Sequence, residues 1–515
     1  MKFMTYLCAA AALTMFAACS SEEPNKGNEV GDGDAELTLS LKFNGETRAT
    51  VPAEDGTAEE SKISSVAVYL FNGTDATSTC LARQEAVILN EGAGDGAEVQ
   101  KTVKVQATND EVRNTQGVVV VVNENVPFAG ASVDPVGKTY TELFATANNT
   151  DVAVSNKFVM TNSNYDGAAN AQAIVPVTTA NWTVVGSATA TTPLPVYVER
   201  IASKVNFTWN PTKTGEGTVE FKGWGLNATN NSYYPVKQLK SFLDEYTTFT
   251  NWPGIADKTI WNNEAGHRSY WAVDPNYTTA TGLDLSDVAT FTNASGASVY
   301  CLENTMNYDH QKRNESTCAI IVATYVPTTL DFNANNDQDK ATWLVWNNRQ
   351  YTTNGYLAAV AEANGLTAND VKLVADTEVQ YKGEVVGAKS FYVQVSDTYS
   401  GADADAKNAA LKTATDGKTE CFYKGYCYYE VPIKQLADEV AWDQTEAANQ
   451  PKHLGRYGVV RNHIYNLTVN SVMNAGTPIT SNTINNDQND DLVSYKLDVT
   501  INVLKWAVRN QGIDL

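Results

Sequence analysis

The chain has 515 residues, enough for two or three domains. Charged residues make up only 19%, aromatics 10%, and Tyr alone counts 25; with recurrent Thr, Asn, Val and Ala, this favours strands and turns over long surface helices. A formal net charge of −22 repels phosphate backbones and argues against a nucleic-acid partner.

Met1-Lys2 is a short basic start, and residues 4–18 form an apolar run too short to span a bilayer as a helix. The run ends in Phe16-Ala17-Ala18-Cys19. Small residues before a Cys predict a lipoprotein signal at 1–19, with Cys19 acylated, palmitate included, and the preceding residues removed; Phe16 stands where Leu is usual. No other stretch is long and apolar enough for a transmembrane helix. Residues 20–35 are polar and Gly-rich, a flexible tether. Leu37, Leu39, Leu41 and Phe43 then alternate with polar residues, the pattern of a half-buried strand. Residues 44–61 come next, with no strand pattern, and hold one basic residue, Arg48. Long structureless connections are uncommon and often functional, and exposed polar loop tips are where proteases cut.

Further along, strands are predicted at 63–71, 99–107, 117–122, 157–161 and 195–209, with a short helix at 139–147, so that a first domain ends near residue 210, at Asn210-Pro211. The second half is less regular: strands at 218–225, 298–302, 318–325, 389–395 and 426–433, and helices at 356–364 and 402–413. The end is strongly patterned at 457–470, 492–503 and 504–509. Leu497, Val499, Ile501 and Val503 share one phase, and Leu504, Trp506 and Val508 the other, which predicts a bulge or a crossing between sheets at Leu504. The run 485–491 reads as a polar hairpin turn between 470 and 492.

Cys8 leaves with the signal and Cys19 carries lipid; Cys80, Cys301, Cys318, Cys421 and Cys427 remain, an odd number without zinc spacing. Cys421 and Cys427 can pair if they face each other on a hairpin; buried free thiols are the alternative. His267, His310, His453 and His463 fit no HExxH spacing, and there is no GxSxG elbow or phosphate-binding Gly loop. Asp331, Asn333, Asn335 and Asp337 alternate like the start of a calcium loop, but Asn336 replaces its Gly and Thr342 its closing Glu; a solvated turn is the better reading. Arg461 and His463 read as structural. The sequence thus predicts no enzyme, no metal and no cofactor.

The two ends belong together. A cut between Arg48 and Ala49 lets the tether and the strand Leu37, Leu39, Leu41, Phe43 leave as one piece. The fold then has an open groove and an unpaired edge, which another copy's strand can fill. Four large apolar side chains at about 1.5–3 kcal/mol each amount to roughly 6–12 kcal/mol of gross burial. Donor and acceptor are different surfaces, so the contact need not close and generates a filament.

Several motifs resemble the fimbrillins of Bacteroidia type V pili, nearest the major subunit of the minor fimbria. They are VYLFNG at 68–73, YVERIASKVNFTW at 197–209, GYCYYEVPI at 425–433, YGVVRNHIYNLTVNSV at 457–472 and VTINVLKWAVRNQGIDL at 499–515, with ThrArgAla at 47–49. Ser20-Ser21-Glu22-Glu23 is similar to the surface-export signal of Bacteroidia lipoproteins. The resemblance implies a mainly β chain of two transthyretin-like β-sandwich domains with a few short helices. Residues 20–48 would be tether and removable strand, 49–210 the N-terminal domain and 211–515 the C-terminal domain. It implies a precursor held in the outer membrane by lipid, cleavage after Arg48 by an arginine-specific surface protease, and donor-strand exchange by a segment within Leu504 to Leu515, including Leu504, Trp506 and Val508. The expected product is the shaft subunit of an adhesive surface fimbria, its partners other copies of itself, anchor and tip subunits, and receptors on host or bacterial surfaces. The alternatives are a non-polymerising anchor or tip adhesin of the same pilus, or a glycan-binding module.

Overall fold

The computed structural model describes residues 35–42, 53–92, 100–124, 134–148, 151–163, 174–185, 192–238, 271–279, 281–435, 455–490 and 496–507. Cys19, Phe43, Arg48, Ala49 and Val508 lie outside them.

In chain order the first half carries β1 (Ala35–Lys42), β2 (Ala53–Asp55), α1 (Ala58–Ser61), β3 (Val66–Phe71), β4 (Cys80–Glu85), β5 (Val87–Gly92), β6 (Gln100–Ala107), α2 (Asn109–Asn114), β7 (Gly117–Val122) and α3 (Tyr140–Leu143). Then come β8 (Ala153–Val154), β9 (Lys157–Phe158), β10 (Met160–Asn162), β11 (Val175–Pro176), β12 (Trp182–Val184) and β13 (Leu194–Arg200). One continuous sheet, ordered β4-β3-β7-β10-β13-β1-β6-β5, curls around the first core. Its corner is β13, which pairs with β1 through Leu194–Tyr197 and with β10 through Val198–Arg200. The sequences of β3 and β7 are apolar on both faces because both faces are covered: every residue of both is buried. The inner face meets Leu37, Leu39, Leu41, Val103 and Val105 in one cluster. Elsewhere Tyr69 and Phe71 pack edge-on against Phe144 and Tyr140, at 5.4 and 6.0 Å.

The second half carries β14 (Ala202–Lys213), β15 (Gly217–Asn227), β16 (Thr229–Asn230), β17 (Leu283–Asp284), β18 (Ser298–Leu302), β19 (Cys318–Pro327), β20 (Trp343–Trp346), β21 (Arg349–Thr352), α4 (Thr353–Ala363), β22 (Val371–Tyr381), β23 (Glu384–Val395), α5 (Ala404–Thr415), β24 (Thr419–Phe422), β25 (Tyr426–Pro432), β26 (His463–Val472), β27 (Thr477–Pro478) and β28 (Leu497–Ala507). Two sheets, β18-β14-β26-β28-β2 and β15-β19-β25-β27, enclose a second core that includes Phe207, Trp224, Ile321, Tyr429 and Leu467. The chain is therefore mainly β, with sandwich cores and short helices. The first core draws mainly on residues up to Ala202 but also takes Tyr233, Val236, Leu302 and Ile464, and the second begins at Val205; Asn210-Pro211 lie within β14.

β19 and β25 are antiparallel neighbours, yet residues 328–425 stand between them. This insert builds a core of its own from Leu344, Tyr356, Val360, Phe391, Val393 and Leu411. A stacked Trp343–Phe422 pair, 3.9 Å between centroids, ties it to the sandwich. The helices α4 and α5 fall where helical spacing put them, but nothing in their own pattern announces a shared core.

Three expectations are corrected and one open alternative, at Cys421 and Cys427, is settled. The stretch 44–61 is not wholly without structure: Ala53–Asp55 is a strand and Ala58–Ser61 a helix. The run 485–491 is not a simple hairpin turn, because Arg313 N donates to Gln488 O (3.0 Å), Asp490 N to Gln311 O (3.1 Å), and Ile484 is buried nearby. Cys421 and Cys427 are not paired: they lie on different sheets, and all five described thiols are free and buried. The change of phase at Leu504 is not a bulge. β28 runs unbroken through it, opposite β26, and the one register shift lies between Val469 and Ser471. The register explains the change: Ile501 and Val503 stand opposite Leu467 and Tyr465 of the second core, whereas Leu504 stands opposite Ile464 of the first.

In the turn at 331–337, Asp331 Oδ1 accepts from Asn333 N (3.0 Å) and Ala334 N (2.9 Å), and Asp337 Oδ1 from Asn354 N (2.9 Å). Among the described residues no group of three or more His, Cys, Asp or Glu is placed to hold a metal ion.

Candidate assembly site at the two chain ends

β1, the first described strand, is central in its sheet. It pairs antiparallel with β6 along its whole length, from Ala35↔Ala107 to Lys42↔Gln100. On its other side it meets β12 through Ala35–Leu37 and β13, in parallel, through Leu39–Lys42. Leu37, Leu39 and Leu41 are fully buried, and the alternate Glu36 on the opposite face receives Lys104 Nζ at 2.7 Å. Among the described residues β6 and β13 share no ladder with each other, so β1 alone joins them.

β28 ends the described chain in a different setting. Leu497, Val499 and Ile501 are only half-buried against the second core, while Asp498, Thr500 and Asn502 are exposed. On its far side, among the described residues, only Lys505–Ala507 are paired, in parallel, with β2. Beside the unpaired length lies an open groove of about 990 Å³ of mixed character, with Val431, Leu497, Val499 and Ile501 set among Arg313, Glu430, Asp487, Asp490 and Lys496. The expected donor residues Leu504 and Trp506 both fall in β28, opposite Ile464 and Glu54 respectively.

Between these strands the two cores are joined by buried charges. α1 opens with a capping box in which Thr57 and Glu60 exchange hydrogen bonds. Glu60 Oε1 also meets Lys204 Nζ (2.8 Å) and accepts from Tyr300 OH (2.6 Å). Burial alone would raise the Glu60 carboxyl, but hydrogen bonds from Lys204, Tyr300 and Thr57 outweigh it and hold the group below its ordinary value. Arg200 Nε donates to Glu60 O (3.2 Å) and Arg200 Nη1 to Asn462 Oδ1 (3.3 Å); burial lowers this guanidinium to about 9, against the pull of Glu60.

The segment RNHIY at 461–465 is likewise structural. Arg461 pairs with Glu303 (3.0 Å, both side chains buried) and donates to Pro235 O and Tyr234 O. Asn462 makes the turn at φ +58°, and Tyr465 OH accepts from Val460 N (2.7 Å) while donating to Gln435 Oε1. Nearby, Lys237 meets Glu199 at 3.2 Å, and burial, stronger here than the Lys237 charge, pushes Glu199 up to about 7. Sequence reasoning missed β2 and the junction role of Glu60, although ThrAlaGluGlu at 57–60 has the spacing of a capping box and signalled α1.

Both ends fall in stretches matched by family models. The model for the major fimbrial subunit protein (FimA) matches residues 35–200, which hold β1. That for the C-terminal part of fimbrillin, major fimbrial subunit protein type IV, matches residues 420–512, which hold β28. The chain is thus a fimbrial subunit, of a class that assembles with other pilus subunits in a cell-surface fimbrium. It belongs to the fimbrillins. No curated protein sequence matches the chain. Among solved structures it is similar to a Parabacteroides distasonis protein provisionally named for cell adhesion (12% identity, 93% of this chain and 98% of that one, TM-score 0.39). It is similar also to the tip fimbrial protein Mfa3 of Porphyromonas gingivalis with C-terminal truncation (14% identity, 92% and 100%, TM-score 0.32). Among the described residues no helix is long and apolar enough to cross a membrane.

Proposed function

We propose that this fimbrillin is the shaft subunit of an adhesive fimbria, exported as a lipoprotein through Cys19, matured by an arginine-specific surface protease after Arg48, and polymerised by donor-strand exchange. The observation that carries this reading is the position of β1: among the described residues it alone bridges β6 and β13, and in the sequence residues 43–52 lead from it to β2. Loss of Leu37, Leu39 and Leu41 would uncover a slot worth roughly 5–9 kcal/mol of gross apolar burial to whatever refills it. A segment within Leu504 to Leu515 of another copy is the proposed donor, with Leu504, Trp506 and Val508 as its apolar contacts.

N-terminal sequencing of surface-assembled protein should read Ala49, and Arg48→Ala should leave a lipidated, unpolymerised precursor. Normal fimbriae on Arg48→Ala cells would remove the maturation step. Deleting residues 504–515 should leave cleaved monomers that do not chain, and Trp506→Ala should weaken the joint. A second reading, a tip or anchor subunit, draws on the insert at 328–425 with its separate core. Immunogold label confined to fimbrial tips or bases would favour it over a shaft.

A further inference from the structure

We propose that Ala53–Ser61 is a strap that keeps the C-terminal strand in its own chain, with β2 as the catch and Glu60 as the fastener. The inference rests on the reading that the C-terminal segment passes to another copy.

β26 accompanies β28 only as far as His463↔Lys505. Beyond that point, Trp506 and Ala507 have β2 as their one ladder partner among the described residues. Three residues of parallel pairing are weak in isolation, so the catch holds only if the chain behind it is fixed. That chain is fixed at the opposite side of the same sheet. β2 is one edge strand and β18 the other; Glu60 binds Lys204 of β14 and Tyr300 of β18. Two further bonds tie the strap to the first core's chain: Arg200 Nε to Glu60 O (3.2 Å) and Asn156 N to Glu59 O (3.0 Å). The strap therefore runs from the end of β28 around the sheet to the junction of the two cores.

Its place in the sequence gives it a role. Ala53 lies five positions beyond Arg48, so a cut there removes β1 and leaves the strap on the mature chain. Maturation opens the slot without freeing the strand that is to fill a neighbour's. Release requires the β2–β28 ladder to break, and chaining waits for that second step.

Hydrogen exchange on the intact, uncleaved chain tests the strap apart from any polymerisation. Glu60→Gln removes the charge that Lys204 pairs with and should speed exchange at Lys505–Ala507 at least tenfold while leaving Leu497–Ile501 as in the parent. Unchanged protection at Lys505–Ala507, or an equal rise in both stretches, would overturn the strap. A second variant asks whether release is needed. Ala53 and Lys505 are direct partners, and neighbouring strands about 4.8 Å apart lie within disulfide reach. Oxidised Ala53→Cys/Lys505→Cys protein, cut after Arg48, should stay monomeric and chain once reduced; chaining at the parental rate while oxidised would refute the proposal. If chains truncated before Leu504 still polymerise, the donor reading fails, whereas the exchange result stands by itself.

Discussion

β1 and β28 are written in the same alternating pattern and occupy unlike positions. β1 is laddered on both edges, and its three inward leucines are fully buried. β28 has half-buried Leu497, Val499 and Ile501, and among the described residues most of its far edge lacks a ladder. Alternation reports which face of a strand is apolar; it does not report how many neighbours the strand has. In the proposed assembly that second property is the one that matters. In that proposal a central strand, cut from the chain at Arg48, is withdrawn whole and leaves a slot of its own shape. A half-buried strand, laddered on its far side among the described residues only at Lys505–Ala507, can in the same proposal be exchanged with little loss of packing.

Charge substitution should separate the two strands most widely. Leu39→Asp puts a carboxylate without a partner into the first core, and a loss on the order of 4–5 kcal/mol or outright failure to fold is expected for the precursor. Ile501→Asp, with water at hand, should cost about 1–2 kcal/mol. Denaturant unfolding of the two precursors checks this, and equal losses would abolish the contrast between a plugged centre and an open edge.

Truncation gives a gentler form of the same test. Leu39→Ala should destabilise the precursor by about 2–5 kcal/mol, because a fully buried leucine leaves a cavity behind. Ile501→Ala should cost about 1 kcal/mol, since that side chain is only partly buried. Once the chain is cut after Arg48 and β1 is lost, the Leu39 effect should vanish and the Ile501 effect persist. A Leu39→Ala penalty that survived complete cleavage would mean that β1 stays docked.

Much of this architecture was legible because local pattern and environment agree. β7 and β18 carry the bounds expected of them, Gly117–Val122 and Ser298–Leu302, since each is a short apolar or alternating run closed by turn residues. β2 was not legible: Ala-Glu-Asp has no strand character, and only the neighbouring β28 makes it one. Leu504 misled for a related reason. Its change of phase is real in the sequence, but β28 stays laddered to β26 straight through it, with Leu504 opposite Ile464, a partner that no local window contains. Of the site, the first strand was readable from its leucines; Glu60 went unread, and its tie to Lys204 and Tyr300, both far away in sequence, is visible only in the fold.

The smallest expected effects are titrations, one beside each end, and their signs differ. Glu199 lies on β13, next to β1, with its carboxyl raised from 4.5 to about 7 by burial. Its folded form binds the proton more tightly than the unfolded chain, so its contribution is full below pH 4.5 and fades as pH rises through about 7. Glu60, in the helix just after β2, is held below 4.5; its contribution is present above 4.5 and fades as pH falls through the lower folded value. Glu199→Gln should therefore flatten the stability profile between pH 4.5 and 7, and Glu60→Gln should flatten it below 4.5. Urea midpoints across pH 3–8 for parent and variants measure both. Because the strap closes over β28 and not over β1, acid should loosen Lys505–Ala507 in the parent before it loosens β1, and Glu60→Gln should erase that order. An acid limb unchanged by Glu60→Gln would show that the carboxylate is a bystander to the strap.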